Sequence, residues 1–348
     1  MTYEENIMSQ CITLAKKGYG KAFPNPMVGC IIVLENKIIG KGYHEKFGEA
    51  HAEVNAINSV KDKKLLREAT LYVNLEPCFH FGKTPPCVDL IIQHKIKKVI
   101  IGTKDPNKNV CGKSISKLKE KCEVKFGVLE KECKNLNKNF FINQIYERPY
   151  IILKWSQTKD GFINNKNFKK GIQKISCKES QKYNHKLRSE VDGIMIGKNT
   201  ALYDNPNLTV RNFKGRNPIR ILIDNNNVVP KSHNIFNNES KTIILTKKIE
   251  ENINPNIKYI KINDDEKLIE ITKKLKNNNI NSLIVEGGAK LLTSFINENL
   301  WDEVKIFQSK KINKDGIKAP HFNVNTNSEI KNIGEDKLIN VNNNQIIF

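Results

Sequence analysis

Three side chains, far apart along the chain yet suited to one ion, constrain this fold more than any other feature. His51-Ala52-Glu53 comes first, and Pro77-Cys78 follows about 25 residues after Glu53. Pro86-Cys87 lies nine residues further on. An imidazole and two thiolates favour zinc over harder ions. Three protein ligands leave a fourth tetrahedral position for water, which is the pattern of a catalytic site. Glu53 is two residues from the imidazole, free to exchange protons with that water. The inventory suits hydrolytic deamination of a nucleobase-like amidine, with zinc activating the water and Glu53 shuttling its proton. Either half alone is weak: His-x-Glu occurs often by chance, and two such cysteines can be buried thiols. Their conjunction is what carries the reading.

The chain has 348 residues, more than one core organises, so two domains are expected, over 1–146 and 147–348. No stretch approaches 18 uninterrupted apolar residues, so no membrane span is expected. The opening MTYEENIMSQ is acidic where a signal peptide needs positive charge, and a cytoplasmic protein is the expectation. Eight cysteines without an export signal read as thiols and ligands, not as a disulfide framework. The six outside the motif are expected to be buried or indifferent. A net charge of +21 raises nucleic-acid binding. The lysines are spread along the chain, however, and runs such as Asn225-Asn226-Asn227 point to a coding bias. No nucleic-acid partner is expected, although a positive field favours a phosphorylated small substrate. A homo-oligomer is expected as well.

The element pattern alternates. Thr2-Tyr3-Glu4-Glu5 is a capping box opening a helix that ends near Gly18. Strands are expected over 28–34, 38–43, 70–75, 99–103 and 124–126. Helices are expected from His51 to Val60, from Pro85-Pro86 to His94, and from Leu129 to about Asn143. That is an α/β layer domain, closing at Glu147-Arg148-Pro149. A second alternation has strands over 150–155, 194–196, 219–224, 242–246 and 283–286. Ser176-Cys177-Lys178-Glu179 reads as a second capping box, and Gly287-Gly288 precedes a helix near Lys290. Without a full Gly-x-Gly-x-x-Gly this half is not a classical Rossmann domain.

His-Ala-Glu with Pro-Cys and a later Cys resembles the cytidine deaminase superfamily. The long loop from Cys78 to Thr84-Pro85-Pro86-Cys87 is similar to the riboflavin-biosynthesis pyrimidine deaminases, as are Pro24-Asn25-Pro26-Met27-Val28-Gly29, Gly42-Tyr43-His44 and Asp105-Pro106-Asn107. The resemblance extends through the second half, to the family of bifunctional riboflavin-biosynthesis deaminase/reductases. It implies a cytidine-deaminase-like three-layer α/β/α domain followed by a dihydrofolate-reductase-like α/β domain using NADPH. It implies a substrate, 2,5-diamino-6-ribosylamino-4-pyrimidinone 5′-phosphate, with Asn25, His44, Lys83 and Thr84 holding its ring and phosphate. The deaminated product would then have its ribosyl group reduced to a ribityl chain.

In the second half the same resemblance puts Arg188, Leu208, Arg211 and Glu286 against the substrate, the arginines being suited to its phosphate. It puts Ser156, Thr200, Asp204, Asn225 and the run Gly288, Ala289, Lys290, Leu291, Leu292, Thr293 and Ser294 near NADPH. Plainer readings exist: Arg188 as a helix surface charge, Asp204 as a turn residue, Leu208 as core. The chain also departs from its relatives. Thr158-Lys159-Asp160-Gly161 replaces Ser-Leu-Asp-Gly, and Ile172-Gln173-Lys174-Ile175 replaces Ser-x-Trp-Ile. Lys174 would then stand where an aromatic platform is expected, able to pair with a cofactor phosphate but not to stack. Rival readings are a deaminase with a degenerate reductase half, a tRNA-editing deaminase, and a zinc-stabilised binding module.

Overall fold

The computed structural model describes residues 1–79, 85–108, 110–165, 171, 173–250, 254–324 and 328–343. The chain divides into two compact units, Met1–Tyr146 and a second that starts at Glu147. Among the described residues no helix is long and apolar enough to cross a membrane.

The first unit runs α1 (Tyr3–Ala15), β1 (Gly29–Leu34), β2 (Lys37–Tyr43), α2 (Ala52–Ser59), β3 (Thr70–Leu75), α3 (Cys87–Gln93), β4 (Lys98–Thr103), α4 (Lys113–Lys119), β5 (Glu123–Phe126), α5 (Glu130–Leu136) and α6 (Lys138–Ile145). Its sheet has the order β2-β1-β3-β4-β5. β1 is antiparallel to both its neighbours, whereas β3, β4 and β5 run parallel. Successive strand residues face opposite sides, and both sides are apolar. Cys30 and Ile32 pack with Ala56, Val88 and Leu118 from α2, α3 and α4. Ile31 and Val33 pack with Met8 of α1 and Cys133 of α5. Helices therefore cover both faces, giving the three-layer α/β/α arrangement. Gly42 lets β2 approach α2 closely, because a Cβ there would meet the Ala56 nitrogen at 2.3 Å.

Local signals mostly succeed. The Thr2 box forms, with Thr2 Oγ1 accepting from the Glu5 amide and the Glu5 carboxylate accepting from the Thr2 amide. Two expectations need correction. The single helix from Leu129 is two helices broken at Asn137, whose side-chain amide is bonded to both the amide and the carbonyl of Met27. The Ser176 box does not form. Cys177 is the N-cap without a side-chain bond, and its amide donates to Asp336 Oδ2. In both places a long-range partner outbids the local one. The unassigned cysteines divide as expected: Cys11, Cys30 and Cys133 are buried, Cys122 and Cys177 half-buried, and Cys111 exposed.

The second unit runs β6 (Tyr150–Gln157), β7 (Phe162–Asn165), α7 (Lys178–Glu190), β8 (Gly193–Gly197), α8 (Lys198–Asp204), β9 (Ile219–Ile223), β10 (Thr242–Thr246), β11 (Ile257–Lys261), α9 (Leu268–Asn277), β12 (Ser282–Val285), α10 (Ala289–Asn297), β13 (Glu303–Gln308), β14 (Gly316–Lys318), β15 (Glu329–Ile333) and β16 (Asp336–Asn342). The main sheet has the order β11-β10-β9-β8-β12-β6-β13-β16-β15. The strands from β11 to β13 are parallel, and β16 and β15 complete the sheet antiparallel. β7 pairs with β14 separately. One face packs on α9 and α10 through Leu275, Leu292 and Phe295. Part of the other packs around Ile194, Ile196 and Leu222.

Arg220 is a fully buried charge in β9 that pairs with no carboxylate among the described residues. Its five N–H groups are taken up by Thr242 Oγ1 and by acceptors of Asn234, Asn237 and Ser240. Burial pulls its pKa down to about 10, so it stays charged at neutral pH. Arg220→Met strands these acceptors, and the expected loss is roughly 3 kcal/mol. Both tryptophans, Trp155 and Trp301, belong to the second unit, so urea unfolding followed by tryptophan fluorescence isolates that loss. An unchanged midpoint would show that the arginine is dispensable.

Candidate functional site

In the first unit the site begins where β3 ends. Glu76 is buried and accepts from the amides of Asp105, Gly112 and Ile115, fastening the end of β3 to the connection between β4 and α4. Ser114 Oγ donates to the Pro77 carbonyl at 2.6 Å. These bonds orient the Pro-Cys loop, and they answer the question of where its backbone polar groups go. Cys87 opens α3, and its amide donates to Cys78 Sγ at 3.2 Å. His51 is the N-cap of α2, which places Glu53 in that helix's first turn.

His51 Nδ1 is 3.4 Å from Cys78 Sγ and 3.3 Å from Cys87 Sγ. The three donor atoms lie within 4.8 Å of one another. Donors about 2.0–2.3 Å from a tetrahedral zinc stand at comparable mutual separations, so the set fits that ion without rearrangement. A bond from Cys87, aided by His51, draws the Cys78 thiol down to about 4, while Cys87 is pushed up as the partner that keeps the proton. The two opposite shifts describe one negative charge shared by the pair. Glu53 is 3% exposed, and burial, with Cys78 adding to it, raises its carboxyl to about 7. A carboxyl so poised can both accept and return a proton near neutrality.

Asn25 and His44 are brought to the same place. Asn25 Nδ2 donates to His44 Nε2 at 3.1 Å, and His44 Nδ1 donates to the Ala50 carbonyl at 3.1 Å. Those two bonds require the neutral tautomer with hydrogen on Nδ1, and burial lowers the His44 pKa in agreement. The His44 ring meets the His51 ring edge-on, with centroids 5.3 Å apart. Lys83 and Thr84 lie outside the described residues.

In the second unit the charged centre is Glu286, at the end of β12. Arg188 Nη2 donates to its Oε2 at 2.7 Å, and Lys154 Nζ stands 3.9 Å from its Oε1. Asn184, in the amide orientation that satisfies both neighbours, donates to Glu286 and accepts from Lys154. Burial alone would raise the Glu286 carboxyl, but Arg188 and Lys154 hold it at about 2. The Arg188 guanidinium also donates to the Thr209 carbonyl, so it is engaged by protein groups and not left open for a phosphate. Arg211 is exposed, and its Nη1 donates to Thr209 Oγ1. Leu208 turns its side chain into the core, leaving its backbone, at φ +58°, as the part that can face a ligand.

The residues expected near a dinucleotide gather at the carboxyl ends of neighbouring strands. Gly287 brings β12 against β8, since a Cβ there would come 2.7 Å from Ile196 Cα. Gly288 has φ +42°, and a Cβ on it would sit 3.4 Å from Thr200 Oγ1, so the space beside Thr200 is left bare. Gly288 caps α10 without any side-chain bond, which leaves first-turn amides for an anion. A phosphate-bearing dinucleotide fits this cradle. Ser156 stands near the end of β6, and Asn225 follows β9. Asp204 ends α8, its carboxyl raised to about 6 by burial. Lys290 and Ser294 lie on α10, whereas the Leu292 side chain belongs to the core. Lys174 is exposed, and its carbonyl accepts from Lys311 Nζ. Ile172 lies outside the described residues.

Sequence reasoning missed Lys154 and Asn184 as members of the Glu286 cluster, and Glu76 and Ser114 as the scaffold of the Pro-Cys loop. Lys154 did carry a signal, being the one charge in the otherwise apolar Tyr150-Ile151-Ile152-Leu153-Lys154-Trp155.

Both halves of the chain resemble known proteins. Residues 1–103 match the cytidine and deoxycytidylate deaminase zinc-binding region, and residues 149–312 match the RibD C-terminal domain. The riboflavin biosynthesis protein RibD of Aquifex aeolicus is 41% identical over 352 aligned residues, covering 99% of this chain and 98% of that protein. The RibD protein of Escherichia coli is 32% identical over 89% of this chain and 88% of its own length. A crystal structure of a diaminohydroxyphosphoribosylaminopyrimidine deaminase/5-amino-6-(5-phosphoribosylamino)uracil reductase from Thermotoga maritima superposes with a TM-score of 0.84 at 36% identity, covering 97% of this chain and 98% of that one.

The Glu286 cluster yields a stability test. The carboxylate lies below its unfolded value of 4.5, so its contribution is complete above that pH and drains away as pH falls toward about 2. Glu286→Gln leaves Arg188 and Lys154 without a counter-charge, and the expected cost at neutral pH is roughly 3 kcal/mol. Tryptophan-monitored unfolding should show the gap to wild type narrowing below pH 4.5. A gap independent of pH would mean that the ionised carboxylate is not its source.

Proposed function

The chain belongs to the family of the riboflavin biosynthesis protein RibD, and from that premise we propose a bifunctional enzyme whose two units act in succession. The first removes the ring 2-amino group of 2,5-diamino-6-ribosylamino-4-pyrimidinone 5′-phosphate as ammonia. The second reduces the ribosyl group of that product to a ribityl chain. The observation that carries the reading is the convergence of His51, Cys78 and Cys87 beside a buried Glu53 with a raised pKa.

In the first unit His51, Cys78 and Cys87 hold zinc, which supplies an acidified water and a polarising charge at neutral pH. Glu53 does the proton work. Its carboxylate takes a proton from the attacking water and delivers it to the departing amine, which leaves as ammonia. Asn25 is positioned by the neutral His44, and the pair orients the ring. The family resemblance assigns Lys83 and Thr84 to the phosphate.

In the second unit NADPH supplies the hydride, and the protein supplies placement and charge. The bare cradle at Gly287-Gly288 and Thr200 supports a dinucleotide phosphate there. Glu286 stays ionised and accepts hydrogen bonds from the substrate. Lys154, Asn184 and Arg188 fix its direction. Arg211, exposed beside Thr209, is the better candidate for the substrate phosphate, because Arg188 is already paired.

Ammonia and NADPH absorbance followed together on the zinc-loaded protein test both halves. Ammonia should appear first and NADPH should then be consumed. Glu53→Gln should slow ammonia release by about a hundredfold or more while zinc content persists. With the diamino substrate that variant should spare NADPH, and with the deaminated product it should consume it normally. Cys78→Ser and Cys87→Ser should lose zinc. Undiminished ammonia release by Glu53→Gln would remove its proposed role, and ammonia without NADPH consumption would leave the second unit without its chemistry.

A further inference from the structure

A dinucleotide on a parallel sheet lies across the carboxyl ends of the strands, where the strand order changes direction. Here that point is β12. The chain passes from β6 outward through β8, β9, β10 and β11, then returns to insert β12 between β8 and β6. The bare cradle of Gly288 and Thr200 sits at this junction, and the Glu286, Lys154 and Arg188 cluster marks the substrate side. The cofactor's reactive end must face that cluster, so its adenosine end points the other way, along β8, β9 and β10. Three strand steps separate β12 from β10, on the order of 14 Å.

The groups met along that path differ in charge. Asp224, at the end of β9, is fully buried, and its Oδ2 accepts from the Val229 amide, so its carboxylate is turned into the protein. At the next strand end stands Thr246-Lys247-Lys248. It is tied to the end of β9, because the Lys247 amide and Thr246 Oγ1 both donate to the Asn225 carbonyl, at 3.0 and 3.2 Å. The Lys247 ammonium pairs with Asp264, whose side chain is 77% exposed and easily displaced. The Lys248 amide donates to Thr246 Oγ1, which fixes the backbone between the two lysines.

We propose that Lys247, with Lys248 beside it, binds the 2′-phosphate on the adenosine ribose and so selects the phosphorylated over the unphosphorylated dinucleotide. The diphosphate occupies the cradle at Gly288, and the 2′-phosphate, on the adenosine ribose, is the remaining anion on the adenosine side of it. Asp264 holds the Lys247 ammonium near the sheet edge and gives way to the phosphate. This inference rests on the NADPH reading of the second unit.

The test is direct binding to the full-length zinc-loaded protein, titrating NADPH and NADH separately and reading the fluorescence of the reduced nicotinamide. Wild type should bind NADPH at least tenfold more tightly than NADH, the scale of one lost charge-assisted hydrogen bond (roughly tenfold or more). Lys247→Gln should weaken NADPH by about that factor and leave NADH within about twofold. Lys247→Arg should keep the preference, and Asp264→Asn should tighten NADPH by removing its competitor. A structural role for Lys247 would instead lower both affinities together, and that result overturns the proposal. Unchanged NADPH affinity in both Lys247→Gln and Lys248→Gln overturns it as well. Failure of wild type to bind either cofactor sinks the NADPH reading itself, whereas equal and tight binding of both sinks only the assignment of Lys247.

Discussion

Parallel strands in one sheet all end at the same edge, and the chemistry of both units depends on that. In the first unit β3 and β4 finish side by side, so Cys78 and Asp105 leave the sheet together and Glu76 can bond across them. In the second, β6, β8, β9 and β12 deliver Ser156, Thr200, Asn225 and Gly288 to one line. Backbone amides and helix starts cluster at such edges, and they are what anions and thiolates need. The strands beneath are largely buried and mostly apolar, so the edges are held on rigid supports.

The first site shows how a metal centre is prepared before chemistry is considered. Two helix starts and one strand end converge because Glu76, Ser114 and Asn74 absorb the polar backbone around them; Asn74 Oδ1, for instance, accepts from the Gly29 amide at 2.7 Å. The same burial that packs α2 raises Glu53, so its carboxyl is tuned by the packing that positions it. His44 is treated in the opposite sense, since burial and two bonds keep it neutral. Neighbouring groups thus acquire different protonation from one environment.

The second site is a paired charge cluster in place of a metal. Lys154 is driven toward neutrality by burial, and Glu286 opposes that drive. Arg188, expected to meet a phosphate, is instead committed to Glu286 and to the Thr209 carbonyl. A guanidinium at a sheet edge is drawn to the nearest buried carboxylate, since leaving either unpaired is costly. This pairing gives the cluster a fixed geometry, while Arg211 stays exposed with its Nη1 donating to Thr209 Oγ1.

Local chemistry made part of this legible. The Thr2 capping box, the apolar strands and the His-Ala-Glu and Pro-Cys segments announce themselves because neighbours within a few residues determine them. The break at Asn137, the failed box at Ser176, the strands β7, β11 and β13 to β16, and the membership of Lys154 and Asn184 in the Glu286 cluster did not. The break, the failed box and the cluster each depend on a partner many residues away: Met27 for Asn137, Asp336 for Cys177, and Glu286 for Lys154 and Asn184. The sequence by itself determined which side chains could bind a metal, shuttle a proton or cradle a phosphate, since those capacities belong to the residues. Only the tertiary structure decided which of them meet, which are spent on one another and which are buried into a shifted pKa, because distance and desolvation exist only once the chain has folded.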